Sequence, residues 1–440
     1  AVNGLPGLKY VDSMNFSTSA GFPYNKSKNN FITRLPGDSV WQNPVQLSEV
    51  ITDDIQRVWD RMISGQRSGI IFMQHIKDEV LPLTKVHAEK ARLFMGGPFG
   101  WSVAVRMALL PFIRVMQRNK YIFECAPGTN ATSVEWTRLY QYLSRYGTDN
   151  AIAGDFKAFD KAMGSLVILK AFYCIHQILK NCGASVEHLT AVWSIAEDVS
   201  FAFCNFNGDL MQFYGSNPSG HPLTVIINCI VNSLYMRYCY TELSPDKNCR
   251  SFRDSVRLIT YGDDNAMTSN KEWFNHTSIA GVLNGVGIEY TMADKTSDSR
   301  PFIKLSEVSF LKRTFVWSKV LKVYLAQLDE NSIMKSIMMC VPSKTECHEK
   351  QCVDIIRSAI SEYFFYGKSK FDEMTIFLKD VVEKCDLSFY VEENTFETWD
   401  NLSKRFEKAS LDYLEWEPES SRHILGHFDW ENRGKYGPDQ

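Results

Sequence analysis

Long apolar runs, a disulfide spacing and an excess of charge of either sign are all missing from this 440-residue sequence. No uninterrupted apolar stretch reaches the roughly 18 residues that a bilayer span needs. The apolar segment that follows Thr224 is broken by Asn228, Asn232, Ser233 and Arg237, so it reads as a core helix. The opening stretch AVNGLPGLKY lacks the pattern of a secretory signal. The 11 cysteines are odd in number and scattered, and Cys174, Cys229 and Cys239 lie in apolar runs, which predicts reduced, buried thiols in a cytosolic setting. Cys340, Cys347, His348 and Cys352 fall close together, but not at C-x2-C spacing, and the reading is against structural zinc there. A net charge of −3 does not advertise a nucleic-acid binder, so any such surface must come from local basic clusters. The absence of H-E-x-x-H, G-x-S-x-G and Walker-type loops removes the commoner hydrolase and NTPase readings. Neither an internal repeat nor a low-complexity linker is visible. Hydrophobic content of 45% with 22% charged residues is that of a globular chain, and the length predicts two or three subdomains.

What is present centres on Tyr261-Gly262-Asp263-Asp264, inside the run SVRLITYGDDNAMTS. Val256, Leu258 and Thr260 alternate with Arg257 and Ile259, a period-2 pattern that predicts a strand. Gly262 allows a sharp reversal, and Asn265, Ala266 and Met267 begin a return strand. Two adjacent carboxylates on such a turn suit a hard divalent cation, with a substrate triphosphate filling the rest of the shell. Acids at hairpin tips are also often merely solvated. About a hundred residues upstream, AIAGDFKAFDKAMGS is a strand-like run ending in Asp155, with Asp160 where a helix begins. A two-metal site for phosphoryl transfer needs a third carboxylate from a neighbouring strand, which Asp155 supplies. Asp160 either caps the following helix or faces a nucleotide sugar. A third segment, MQFYGSNPSGHPLTVIINCIVNSLYMRY, holds Ser219-Gly220 in a loop and places Thr224 and Asn228 one helical turn apart. Asn228 reads either as a satisfied buried amide or as part of a network with Asp160 and Ser219 around a ribose hydroxyl.

The set D-x4-D, SG-x4-T-x3-N and YGDD, in that order, resembles motifs A, B and C of RNA-dependent RNA polymerases of positive-strand RNA viruses, the picornavirus-like group above all. Collinear with it, TSAGFPY (Thr18 to Tyr24) resembles motif G and KDEVLPLTKVHAEKARLF (Lys77 to Phe94) motif F. GIEYTMADKTSD, with Lys295, resembles motif D, and FLKRTF (Phe310 to Phe315) motif E. The resemblance covers residues 1 to about 320 and implies roles position by position. Asp155 and Asp263 would bind two Mg²⁺ ions, with Mn²⁺ able to substitute and Asp264 helping more peripherally. Asp160, Ser219, Gly220, Thr224 and Asn228 would sense the nucleotide and its 2′-hydroxyl. Lys77, Lys85 and Arg92 would grip the triphosphate, although Asp78, Glu79 and Glu89 dilute that charge and a solvated loop is the plain alternative. Lys295 would protonate the leaving pyrophosphate, Lys312 would sit at the primer grip, and Thr18 and Ser19 would border the template entrance. The implied partners are an RNA template and primer, ribonucleoside triphosphates, a small virus-encoded protein primer and other viral replication proteins. The implied location is the host cytoplasm, at membrane-associated replication complexes.

The implied fold is α+β, a right-handed polymerase with fingers, a palm whose antiparallel sheet is flanked by helices, and a mostly helical thumb. Fingers would occupy 1–146 and 184–214, the palm 147–183 and 215–316, and the thumb with a C-terminal tail 317–440. SEVITDDIQRVWDRMIS and WSVAVRMALLPFIRVMQ read as helices. From about 317 the pattern turns helical. Ile356, Ala359, Ile360, Tyr363 and Phe364 form one stripe, and Met374, Phe377, Leu378, Val381 and Val382 another. The last stretch, from Tyr413, is acidic, aromatic and poor in period, a tail folded over the thumb or partly disordered. In the family a fingertip segment precedes motif G, and here that motif starts at Thr18, so the resemblance implies that the segment is absent from this sequence.

Two rivals remain. A reverse transcriptase shares the strand and turn but generally carries an aromatic residue where Asp160 stands. A catalytically silent scaffold would have lost a metal ligand, whereas Asp155, Asp263, Asp264 and Lys295 are all present.

Overall fold

The computed structural model describes residues 1–294, 297–343 and 345–438. In chain order the strands are β1 (Ile32–Arg34), β2 (Val45–Leu47), β3 (Phe72–Ile76), β4 (Leu93–Gly96), β5 (Ala151–Phe156) and β6 (Phe203–Phe206). They continue with β7 (Asp209–Gln212), β8 (Val256–Tyr261), β9 (Asp264–Ser269), β10 (Tyr290–Met292), β11 (Arg313–Ser318) and β12 (Val323–Leu328). They form four sheets, of which two have four strands: β10-β5-β9-β8, antiparallel throughout, and β4-β3-β6-β7, where β3 and β6 run parallel. The order of elements around the first of these is strand, helix, helix, hairpin, helix, strand, as the sequence predicts.

The period-2 reading of β8 is right, but the strand is buried on both faces. Val256, Leu258 and their neighbours Ile152, Phe156 and Met267 pack against the helices Ser165–Asn181, Thr224–Leu243 and His276–Asn284. On the reverse face Ile259, Ala151, Ala153 and Ala266 meet Trp136 and Leu139 of the helix Glu135–Leu143, together with Phe310, Phe315 and Tyr324. Each fully buried Leu or Phe in these layers contributes about 1.5–3 kcal/mol, so the sheet is a stiff base. Small residues at 151, 153 and 266 let the second layer approach closely.

The helix Phe99–Arg118 is long and apolar enough by composition to cross a membrane, with mean hydropathy 1.4, yet 72% of that window is buried inside the protein. It packs as a core helix beside Glu49–Ile63, and both are where the sequence predicts them.

The C-terminal region departs from expectation at its start. Residues 323–328 form β12 rather than helix, paired with β11 from Arg313↔Leu328 to Ser318↔Val323. The β-branched and aromatic run Val323, Tyr324, Leu325 favours a strand. Helices follow from Glu330 onward. The stripe Ile356, Ala359, Ile360, Tyr363, Phe364 is wholly buried. In the second stripe Met374, Leu378 and Val382 are buried, but Phe377 is 51% exposed. The tail packs against the protein over its described residues: Phe428 and Trp430 are buried, and Arg138 donates from Nε to Glu417 at 2.7 Å and from Nη2 to Gly426 O at 2.7 Å. It therefore docks on the helix Glu135–Leu143 as well as on the core of the C-terminal helices.

Candidate active site

The tip of the β8–β9 hairpin is a two-residue turn closed by the pair Tyr261↔Asp264. Gly262 has φ +67°, at the first central position, where a type II′ hairpin turn requires glycine. The register Gly154↔Asn265, carried one step on, sets Asp155 beside Asp264 at the same end of the sheet. Asp263 is exposed, and Asp155 and Asp264 are half-buried. Burial raises the pKa of Asp264 to about 7, and the carboxylates of Asp263 and Asp155 push the same way against a hydrogen bond from Leu311 N. That bond, 2.6 Å to Oδ2, ties the hairpin to the turn before β11. Three acids thus meet at one end of a rigid sheet.

The turn is gripped from behind by residues the sequence reading did not single out for it. Cys229 Sγ accepts from Gly262 N at 3.2 Å, and Asn232 Nδ2 donates to Gly262 O at 3.1 Å and Asp263 O at 3.2 Å. Asn232 is fully buried. Its spacing was the available signal, since Thr224, Asn228 and Asn232 recur every four residues along one helix face. Beneath Asp155, Gly154 makes room for Tyr290: a Cβ at 154 would lie 2.1 Å from Tyr290 Cζ. The Tyr290 hydroxyl donates to Asn265 Oδ1 at 2.8 Å, which fixes β10, β5 and β9 together.

Asp160 and Asn228 do come together, with Asn228 Nδ2 donating to Asp160 Oδ1 at 2.6 Å. Burial raises the pKa of Asp160, the Asn228 bond opposes the rise, Asp263 adds to it and Arg92 opposes it. Asn217, missed in the sequence, is buried and donates to Asn228 Oδ1 at 2.8 Å. His221 Nε2 bonds Asn217 Oδ1 at 2.9 Å, and burial pushes the imidazole pKa down to about 3, so it stays neutral. Ser219 stands apart from this network. It is exposed, and its Oγ lies 3.4 Å from Met95 N on β4. Gly220 bridges to Gly96, and a Cβ there would meet Met95 O at 2.4 Å. Thr224 Oγ1 donates to Pro218 O at 2.9 Å and to His221 O at 3.0 Å, closing the loop from within. Of the network expected around a ribose hydroxyl, the structure joins Asp160 to Asn228, adds Asn217 behind it and sets Ser219 towards β4.

The basic residues lie on the connection between β3 and β4. Lys77 and Arg92 both reach Glu79, at 3.6 and 3.2 Å, and Lys85 is exposed on the short helix Leu83–His87. Thr18 and Ser19 are exposed, Thr18 Oγ1 accepting from Lys28 Nζ at 2.5 Å and Ser19 Oγ from Gly21 N at 3.1 Å. Lys312 is exposed beside Leu311, both with positive φ. Lys295 lies outside the described residues. Cys352 Sγ sits 3.9 Å from His348 Nε2, but among the described residues no group of three or more His, Cys, Asp or Glu is arranged to hold a metal ion by itself. Any cation at the three acids would therefore need further ligands from substrate and water.

The family model for viral RNA-dependent RNA polymerase matches residues 2–346. The replicase polyprotein of Cricket paralysis virus is 30% identical over 408 residues, covering 87% of this chain and 22% of that protein. The RNA1 polyprotein of Cowpea mosaic virus is 28% identical over 340 residues, 72% of this chain and 17% of its own length. The chain thus spans about a fifth of the length of the curated relatives it matches. In fold, the Sicinivirus 3Dpol RNA-dependent RNA polymerase superposes with a TM-score of 0.74 at 19% identity, over 93% of this chain and 80% of that one. With the family match spanning most of its length, the chain belongs to the viral RNA-dependent RNA polymerases.

Proposed function

We propose that the three acids at the end of the central sheet are the catalytic centre of this polymerase, with Asp155 and Asp263 as ligands of two Mg²⁺ ions, which Mn²⁺ could replace. The observation that carries this is the convergence of Asp155, Asp263 and Asp264, whose mutual repulsion and burial hold Asp264 near a pKa of about 7. A hard dication is what such a cluster fits, and one or two carboxylates plus substrate phosphates are its usual shell. Once bound, the ions would neutralise triphosphate charge and make the primer 3′-hydroxyl a better nucleophile. Asp264, with one oxygen already taken by Leu311 N, would act from the side and brace the hairpin.

The chain's own residues do the positioning. The Asp160–Asn228 pair would meet the ribose 2′-hydroxyl, one partner accepting and the other donating, with Asn217 and neutral His221 keeping the amide in place. Ser219, Gly220 and Thr224 would shape that pocket by fixing the loop to β4. Lys77 and Arg92 would exchange Glu79 for the triphosphate and Lys85 would join them, Arg as a planar fork and Lys as a point charge. Lys295 remains the proposed proton donor to pyrophosphate, Lys312 the primer-grip cation, and Thr18 and Ser19 the template-entrance pair. On this reading residues 1–146 and 184–214 are fingers, 147–183 and 215–316 palm, and 317–440 thumb and tail. A small virus-encoded protein primer, other replication proteins and membrane-associated complexes in the host cytoplasm are part of the same proposal.

The test is extension of an RNA primer on an RNA template of defined sequence. Only the complementary ribonucleotide should add, and Asp155→Asn should abolish addition in a folded protein. Addition that ignores the template base, or survives in Asp155→Asn, would overturn the assignment.

A further inference from the structure

At the opposite end of β8 from the Gly262 turn lies an open cavity of about 760 Å³, lined by none of the three acids. Arg257, four residues back from Tyr261 and so roughly 13 Å along the strand, forms one wall with Arg253. The short C-terminal helix Glu419–Leu425 forms the other, with Arg422 and His423. Tyr121 and Tyr142 close the base, their rings 4.7 Å apart.

The charge in this cavity is unbalanced. Three guanidinium groups line it against one carboxylate, Glu419, in a chain whose net charge is −3. The carboxylates nearest to Arg253 and Arg422, Glu124 and Glu417, stand at 3.9 Å and are each already engaged by a closer arginine, Arg237 and Arg138. Arg257 spends one donor on Arg253 O and stacks over the rings of Tyr146 and Tyr142, at 4.9 and 5.7 Å. Arg253 Nη2 donates to Tyr121 O and Ile122 O, both at 2.9 Å, and Arg422 Nη2 to Leu414 O at 2.7 Å and Glu415 O at 3.4 Å. Of the five N–H donors in each fork, it is the Nη1 groups of these two and most of the Arg257 donors that are left for a ligand. Among the described residues the Tyr121 hydroxyl, on a side chain 1% exposed, has no hydrogen-bond partner.

The walls are built rather than incidental. The C-terminal helix is anchored by the buried Arg138–Glu417 pair just before it, and Ser420 Oγ donates to Asn119 Oδ1 at 2.6 Å. Arginine forks on two walls match a ligand with several phosphate oxygens better than a single point charge.

We propose that this cavity binds a compact polyphosphate, either inorganic diphosphate or the phosphate tail of a nucleotide, between the central sheet and the C-terminal helix. Occupancy would bridge the two walls and stabilise the docked tail by mass action. The site is remote from the three acids, so its occupancy should not require divalent metal.

The full chain is titrated with inorganic diphosphate, and separately with ATP, in EDTA by isothermal calorimetry, with thermal unfolding in parallel. The expected result is one site and a raised Tm, weakened at least tenfold by Arg257→Gln and by the solvent-exposed Arg422→Gln, and retained in Asp263→Asn. Equal affinity for the two probes would assign recognition to the phosphates alone, and tighter ATP binding would assign it to a nucleotide. Arg422→Gln should keep wild-type primer extension. Absence of binding to the wild type, undiminished binding by both arginine variants, or loss in Asp263→Asn would each overturn the proposal.

Discussion

The Tyr261–Asp264 hairpin and the Lys77–Arg92 connection both carry charge that the proposed phosphoryl transfer would use, and the fold treats them in opposite ways. The hairpin is held by Cys229, Asn232 and the Leu311 backbone, on a sheet buried on both faces. The connection between β3 and β4 is exposed, with Arg92 at 67% side-chain accessibility and paired with Glu79 at 3.2 Å. Repelling carboxylates must be fixed in place if they are to wait for a cation, because nothing in their own chemistry keeps them together. Cations that are to follow a moving triphosphate, as proposed for Lys77, Lys85 and Arg92, would gain from freedom. The contrast therefore predicts that changes at the hairpin show in kcat, and changes at the connection in KM.

The sharpest way to break it is to remove an acid. Asp155→Ala or Asp263→Ala should take primer extension to background, while the exposed Asp263 leaves Tm nearly unchanged, as surface substitutions within about 0.5 kcal/mol do. A folded Asp263→Ala that still extends would end the metal assignment. Next in size is Asn232→Leu, which strips the donor from two carbonyls in a buried setting. It should cost about 1–3 kcal/mol of stability and lower kcat, with the ribose preference untouched. Equal kcat in that variant would mean that the turn needs no support from the helix.

Asn228→Ala should then relax the ribose-over-deoxyribose ratio of kcat/KM by roughly 1 kcal/mol, about a factor of five. An unchanged ratio would remove Asn228 from sugar recognition. Smallest of all, Arg92→Lys should raise KM for ribonucleotides a few-fold with kcat and Tm held, because a point charge replaces a fork. If kcat falls and KM does not, the connection serves the transition state no less than the hairpin does, and the contrast fails.

Much of this was legible in the sequence where local pattern and chemistry agree. β8, the glycine turn and the helix bearing Thr224 and Asn228 follow from period and from residue type. The pairing of Asp160 with Asn228 was also readable, as one of two open alternatives. What the sequence hid is long-range. Nothing local says that Ile259 faces a second core, that Ser219 turns towards β4, or that Asp264 bonds a backbone N–H 47 residues away. Asn217 reads as a loop residue until the fold brings it to Asn228, 11 positions on. Residues 323–328 read as helical because a helical region follows them immediately, and the strand has meaning only through its partner β11.

The most direct measurement is primer extension on a short RNA template–primer with Mg²⁺, wild type beside Asp263→Ala, supplied with either rNTPs or dNTPs. The account predicts template-directed addition of ribonucleotides by the wild type, strong discrimination against dNTPs, and none of either by the variant. Ribonucleotide addition by folded Asp263→Ala at the wild-type rate would contradict it.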